Sequence, residues 1–141
     1  MTKNSRNIIV AVKGVIINEG KILLVQRASA DSVGAGTWEC AGGKIEFGEA
    51  LESALAREIC EETGLTVTVD SLLYAASFLT DPTRQVVIIT YLCRSVEQAI
   101  RLSDEHTDYR WCTKAQLRHL LPAQIFAEFE KYHVLELEGL Q

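Results

Sequence analysis

Gly43-Lys44-Ile45-Glu46-Phe47-Gly48-Glu49-Ala50-Leu51-Glu52-Ser53-Ala54-Leu55-Ala56-Arg57-Glu58-Ile59-Cys60-Glu61-Glu62-Thr63-Gly64-Leu65 is the stretch that decides how this chain is read. It has no proline, spaces Leu51, Ala54, Leu55 and Ile59 for a helix, and meets a glycine at Gly64. This predicts a helix over about Ala50–Glu62, because apolar residues three and four apart share a face and glycine favours the left-handed stop. Advancing about 100° per residue from Leu51 puts Ala54, Leu55 and Ile59 at about 300°, 40° and 80°, an apolar stripe centred near about 15°. Glu58 falls at about 340° and Glu62 at about 20°, inside that stripe, and Glu61 borders it at about 280°. A solvated acidic face would lie on the opposite side.

Carboxylates crowded on an inward face repel one another and lose hydration, a penalty of several kcal/mol unless something offsets it. Either the groups take up protons or a divalent cation binds between them. Glu58, Glu61 and Glu62 are three and four positions apart, so they can converge on one ion. A donor set of oxygens alone suits Mg²⁺ or Mn²⁺. The competing reading is that these acids occupy the exposed end of the helix and are simply solvated.

The flanking chain alternates strands and helices. Asn7–Asn18 is rich in Ile and Val, Asn18-Glu19-Gly20 signals a turn, and Lys21–Arg27 returns, so the two form a hairpin. Ala28–Thr37 reads as a loop, Trp38–Cys40 as a short strand, and Ala41-Gly42-Gly43 as a backbone-permissive spot. After the helix, Leu65–Leu79 reads as a strand broken near Asp70-Ser71, Asp81-Pro82-Thr83 as a turn, and Gln85–Arg94 as a central strand. Thr107–Cys112 is a further short strand. Thr113 is placed to cap a helix over Lys114–Leu121, and Pro122 to start a last one with Ile125, Phe126, Phe129 and Tyr132 on one face. The expected class is α/β or α+β with a mixed sheet, in a single domain over residues 1–141.

Composition narrows the function. The chain has 141 residues, is 48% hydrophobic and 23% charged, and carries a formal net charge of −5. These values suit a folded globular chain and argue against bulk affinity for nucleic acid. No apolar run is long enough to span a bilayer and none resembles a signal peptide, so the expected location is cytoplasmic, with no membrane partner. Cys40, Cys60, Cys93 and Cys112 form no C-x-x-C pair. Their apolar neighbours mark them as buried structural thiols, not a zinc site or a disulfide framework.

The segment from Gly43 to Leu65 also satisfies the pattern G-x(5)-E-x(7)-R-E-U-x-E-E-x-G-U without a mismatch, through Gly43, Glu49, Arg57, Glu58, Ile59, Glu61, Glu62, Gly64 and Leu65. A given window matches by chance on the order of 10⁻¹⁰ of the time. This is the signature of the Nudix hydrolases, the MutT-like pyrophosphohydrolases, and a looser resemblance runs from Ile8 to Cys112. The resemblance implies a mixed β-sheet sandwiched between helices, with the box as loop–helix–loop. It implies hydrolysis of a nucleoside diphosphate linked to another group, with Mg²⁺ or Mn²⁺. By position, Glu58 and Glu62 resemble the principal metal ligands, with Glu61 beside them. Glu58 also resembles a group acting on the attacking water. Arg57 resembles the arginine that orients the acids through Glu49 or Glu61, against the plainer reading of a surface ion pair. Gly42 resembles a metal ligand through its carbonyl, and Gly43 lies with it on the substrate side. Ala41 stands where the family usually has proline, which implies a looser turn.

Further candidates come partly from the same resemblance and partly from residue chemistry. Glu105, before Trp111, resembles an additional metal ligand or general base, against a plain loop acid. His106 is a weaker candidate for a catalytic role, against the favoured reading of a solvated loop histidine. Arg27 is a candidate for a substrate phosphate, or else a polar strand end. Trp38, Phe78 and Tyr74 suit stacking on a base, or core packing. Gln124 resembles an amide that reads a purine edge. Trp38–Glu46 resembles the nucleoside triphosphatases of the family, whereas Pro82, 17 positions after Leu65, resembles the ADP-ribose-cleaving members, which leaves an ADP-ribose or nucleotide-sugar pyrophosphatase as the alternative. The favoured reaction is therefore a nucleoside triphosphate, oxidised or not, going to monophosphate and pyrophosphate. A non-catalytic nucleotide-sensing domain is the alternative of another class. A homodimer is an expectation from the family alone. Glu62→Gln is expected to abolish divalent-cation-dependent hydrolysis with an unchanged circular dichroism spectrum; wild-type turnover in the variant contradicts the assignment.

Overall fold

The computed structural model describes residues 5–28 and 36–141. Most of the expected 28–37 loop lies outside the described residues. Strand β1 (Asn7–Asn18) turns into β2 (Lys21–Arg27) through Glu19 and Gly20, both at positive φ (50° and 78°). Two consecutive left-handed residues match the twist of a tight hairpin. The chain continues through β3 (Trp38–Glu39), β4 (Ala41–Lys44), helix α1 (Leu51–Thr63), β5 (Thr68–Asp81), β6 (Arg84–Arg94) and β7 (His106–Cys112). Helices α2 (Lys114–Leu120) and α3 (Ala123–Lys131) and a 3-10 turn at Val134–Glu136 follow.

The strands form one mixed sheet in the order β3-β2-β1-β6-β5, with β4 added to β1 and β7 added to β2. β1 and β6 run parallel along their whole length, whereas the β1–β2 pairing is confined to Ile17–Ile22 and Asn18–Lys21. Beyond that point the hairpin strands part, and β4 pairs with Ala11–Gly14 on β1 instead. Side chains alternate across β1. Val12 and Ile16 pack with Leu55 and Ile59 of α1, while Val15 and Ile17 pack with Phe126 and Phe129 of α3. Both faces of the sheet are covered, which is why β1 and β6 read as nearly continuous apolar runs.

Local chemistry explains the boundaries. Gly64 (φ 78°) closes α1 and donates to the Cys60 carbonyl. A capping box between Thr113 and Gln116 starts α2. Asp81 Oδ1 accepts from both the N–H and the hydroxyl of Thr83, fixing the β5–β6 turn around Pro82.

Three expectations from the sequence do not hold. The break near Asp70-Ser71 is a register shift inside a continuous β5. Ala41-Gly42-Gly43 is not a loose turn but part of strand β4, with Ala41 fully buried opposite Gly14. Cys60 is exposed, because it lies on the outer face of α1, whereas Cys40, Cys93 and Cys112 are buried. Tyr132, just past the end of α3, meets Tyr74 as Phe129 does, stacked on it with ring centroids 4.9 Å apart, and stays partly exposed. Leu55 is fully buried between α1 and the sheet. Leu55→Ala should lower stability by about 2–5 kcal/mol, read as a lower urea midpoint with an unchanged slope.

Candidate active site

The site forms where β1 and β2 part and β4 and the C-terminal half of α1 fill the gap. Glu62, on the inward face of α1, has only 4% of its side chain exposed. Its Oε1 accepts the backbone N–H of Gly42 at 3.2 Å. Gly42 sits at φ 148°, and a Cβ there would stand 2.0 Å from the Val12 carbonyl oxygen, so no other residue fits. Gly43 has a different reason to be glycine. A Cβ there would come within 2.6 Å of the Glu58 carboxylate, which rests against this backbone. The glycine pair thus gives Glu62 a donor and Glu58 room.

Arg57 holds the outer rim. Its Nε and Nη2 reach the two carboxylate oxygens of Glu49 at 2.7 and 2.9 Å, a bidentate clamp. Its Nη1 lies 3.3 Å from both Glu58 Oε2 and Glu61 Oε1. The clamp holds the Glu49 carboxyl down at about 2. Glu61 has 59% of its side chain exposed and faces Arg57. The structure therefore brings Glu58 and Glu62 to the two glycines and leaves Glu61 at the rim.

The loop before β7 reaches this place because the end of α1 has carbonyls to satisfy. Arg101 N–H donates to the Thr63 carbonyl and Ser103 N–H to the Glu62 carbonyl. Glu105 and His106 are thereby delivered to Glu62, and one ligand atom from each of Glu62, Glu105 and His106 lies within 4.8 Å of the others. His106 is not a solvated loop residue. It is the first residue of β7, with 2% of its side chain exposed. Its Nε2 lies 2.8 Å from Glu39 Oε2, while its Nδ1 has no hydrogen-bond partner among the described residues and stands 4.0 Å from Glu62 Oε1.

Two residues at this centre, Lys13 and Glu39, are missing from the sequence reading of the site. Lys13 is a charge inside the apolar β1 run. Its Nζ donates to the Cys40 carbonyl at 3.2 Å and lies 3.5 Å from Glu39 Oε1. Arg27 Nη1 is 3.4 Å from the same carboxylate. A lysine interrupting a buried strand is a signal the sequence does carry, since such a charge needs a partner.

The electrostatics separate the two buried acids. Burial raises the Glu62 carboxyl to about 8, against the opposing influence of Lys13 and the Gly42 N–H, with Glu105 and Glu58 adding to the rise. Burial acts the same way on Glu39, but Lys13, the His106 hydrogen bond and Arg27 outweigh it and bring it to about 2. Glu62 is thus an acid in want of positive charge. The donor set, with Glu58 beside Gly43 and an orphaned ring nitrogen beside Glu62 and Glu105, fits a divalent cation.

A cavity of about 160 Å³ adjoins the cluster, lined among others by Lys13, Trp38, Glu39, Tyr74, Phe78 and Phe129. Trp38 and Phe78 are therefore brought together. Gln124 is exposed at the start of α3 and does not line this cavity; Ile125 and Glu128 do. A larger cleft of about 440 Å³ near Asn18 and Gly20 holds none of the box acids.

The raised Glu62 carboxyl has a definite sign in stability. Without a cation, native Glu62 keeps a proton that the unfolded chain releases near 4.5, so its contribution is full below about 4.5 and lost as pH climbs toward 8. Glu39 acts oppositely, contributing above about 4.5 and losing that as pH falls toward 2. In chelator, the urea midpoint should fall between about pH 5 and 8, and Glu62→Gln should flatten that fall; equal slopes in both proteins contradict the assignment.

The comparisons with known proteins agree with this geometry. The family model described as NUDIX domain matches residues 8–134. A MutT-like protein of Streptomyces ambofaciens is 34% identical over 119 residues, 84% of this chain and 71% of that protein. The nucleoside triphosphatase NudI of Escherichia coli is 31% identical over 115 residues, 74% of this chain and 82% of that protein. The crystal structure of the MutT protein from Methanosarcina mazei superposes with a TM-score of 0.84 at 29% identity, covering 94% of this chain and 98% of the other. With its box unbroken and its acids gathered around Gly42 and Gly43, the chain belongs to the Nudix family of pyrophosphohydrolases.

Proposed function

We propose that this enzyme hydrolyses a nucleoside triphosphate to the monophosphate and pyrophosphate, with the base in the cavity beside Trp38 and Phe78. The observation that carries this reading is that Lys13 and Glu39 belong to both the acid cluster and the cavity wall. A base held in that cavity leaves its phosphate chain directed at Glu58, Glu62 and Glu105. Phe78 lines the cavity and is only half-buried, which suits a ring that stacks on a ligand. The similarity to a nucleoside triphosphatase, at 31% identity, supports the same substrate class. Pro82, the feature that pointed to ADP-ribose, is accounted for by the Asp81–Thr83 turn.

The roles follow from placement. Glu58, Glu62 and Glu105 hold the cation, Mg²⁺ or Mn²⁺, with the Gly42 carbonyl as a further oxygen and Glu61 at the rim. When bound, the cation neutralises phosphate charge and acidifies water. Arg57 keeps Glu58 and Glu61 in position through its clamp on Glu49. Arg27, beside Glu39 at the mouth of the gap, is placed to meet a phosphate. Glu105 and Glu58 are placed to accept the proton of the attacking water. Water adds to one anhydride phosphorus, the bridging P–O bond breaks, and pyrophosphate departs. Positioning and charge neutralisation supply most of the rate.

Incubating the enzyme and a divalent cation with a panel of nucleoside triphosphates, oxidised nucleotides, ADP-ribose and nucleotide sugars should release pyrophosphate from a triphosphate. Turnover of ADP-ribose or a nucleotide sugar alone contradicts the proposal. Base stacking on an aromatic ring is worth about 1–3 kcal/mol, so Phe78→Ala should raise KM roughly five- to hundredfold with kcat largely kept. An unchanged KM places the base elsewhere.

A further inference from the structure

The box acids supply oxygen donors, but the cluster they form with the β7 strand contains an imidazole. His106 is buried, and its Nε2 lies 2.8 Å from Glu39 Oε2. Two ion-pair partners, Lys13 and Arg27, hold Glu39 as a carboxylate. A carboxylate at that distance accepts, so Nε2 must carry the hydrogen. The other ring nitrogen then has two options. As the neutral tautomer, Nδ1 offers a buried lone pair that no donor among the described residues reaches, with Glu62 Oε1 standing 4.0 Å away. As imidazolium, Nδ1 carries a buried N–H with no acceptor within hydrogen-bond distance among the described residues. Both arrangements are costly in a dry interior, and one occupant removes the cost in the first. Two donors about 2.1 Å from a shared ion stand up to roughly 4.2 Å apart, and the 4.0 Å separation fits within this limit.

We propose that His106 Nδ1 is itself a ligand of the divalent cation, alongside Glu62 and Glu105, and that Glu39 is the positioning residue that fixes its tautomer. The proposal rests on the cluster being the cation site of the hydrolase. The Glu39–His106 pair repeats a general device of metal centres, in which the far ring N–H of a ligating histidine donates to a carboxylate. Its chemical consequence is selectivity. Mg²⁺ binds oxygen and keeps its water, whereas imidazole suits transition cations. The position between Glu62, Glu105 and His106 therefore takes Mn²⁺ in preference to Mg²⁺. Lys13 and Arg27 bear on this indirectly, by holding Glu39 against the ring.

The test is pulsed electron paramagnetic resonance of Mn²⁺ added to the metal-free protein. The expected spectrum shows modulation from one imidazole nitrogen that changes when histidine alone is labelled with ¹⁵N. The chain has 3 histidines, and His119 and His133 are exposed. The paired replacements His119→Gln and His133→Gln leave His106 as the sole source, so the measurement does not depend on altering the buried ring. His106→Gln should abolish the modulation and weaken Mn²⁺ about tenfold or more, with a smaller loss for Mg²⁺; Glu39→Gln should weaken Mn²⁺ roughly 10- to 100-fold. Mn²⁺ that binds without imidazole modulation, or that does not bind at all, overturns the proposal and shows that water occupies the place beside Nδ1. Nucleotide turnover on the same samples separates the two claims. Turnover without the imidazole signal removes His106 as a ligand and spares the hydrolase, and absence of turnover with any divalent cation counts against the hydrolase, whatever the spectrum.

Discussion

A single buried carboxylate organises this enzyme. Glu62 is held on the inward side of α1, where it accepts the Gly42 N–H, while Lys13 pairs with the neighbouring Glu39. Moving a carboxylate out of water is costly unless charge or hydrogen bonds replace the hydration. Much of the surrounding chain answers that demand. Gly42 brings its N–H close by adopting a backbone that no other residue tolerates, and Gly43 gives up a side chain so that Glu58 can lie alongside. Arg57 absorbs the charge of Glu49 and Glu61 at the rim. The remaining demand for positive charge is what a divalent cation meets.

The sheet makes this arrangement affordable in mechanical terms. β1 is anchored along its full length to β6 and is covered on both faces, so it does not yield when its other edge is opened. That other edge is divided between β2 and β4. The division leaves a gap, and Lys13 projects into it from the same face as Val15 and Ile17. The acid cluster and the cavity thus share a wall: on one side are the acids of α1, on the other Trp38, Phe78 and α3. A nucleotide spanning the two would put its apolar and anionic ends where each is best solvated.

How much of this was legible in the sequence depends on the range of the interaction. Helix α1 and its inward acids are local, set by a period of 3.6 residues, and Glu62 is buried as the angular reading requires. The hairpin, β6 and the Thr113 cap are equally local and lie where the residues indicate. Glycine spacing showed that the backbone at Gly42 and Gly43 is permissive, but not that it pairs in a strand, since that depends on β1 parting from β2. His106 looked like a loop residue because its burial comes from Glu39, 67 positions away. Cys60 was misplaced because apolar neighbours in sequence flank both faces of a helix. Gln124 faces outward because α3 turns Ile125 and Glu128 to the cavity instead.

The central claim is that the cluster around Glu62 is a cation site whose carboxylate is protonated until the ion arrives. Calorimetric titration of Mn²⁺ into the metal-free protein near neutral pH, in two buffers of different ionisation enthalpy, tests this most directly. The account predicts saturable binding accompanied by net release of protons to the buffer, because the ion displaces the proton that burial keeps on Glu62. Absence of binding, or binding with no proton released, would contradict it.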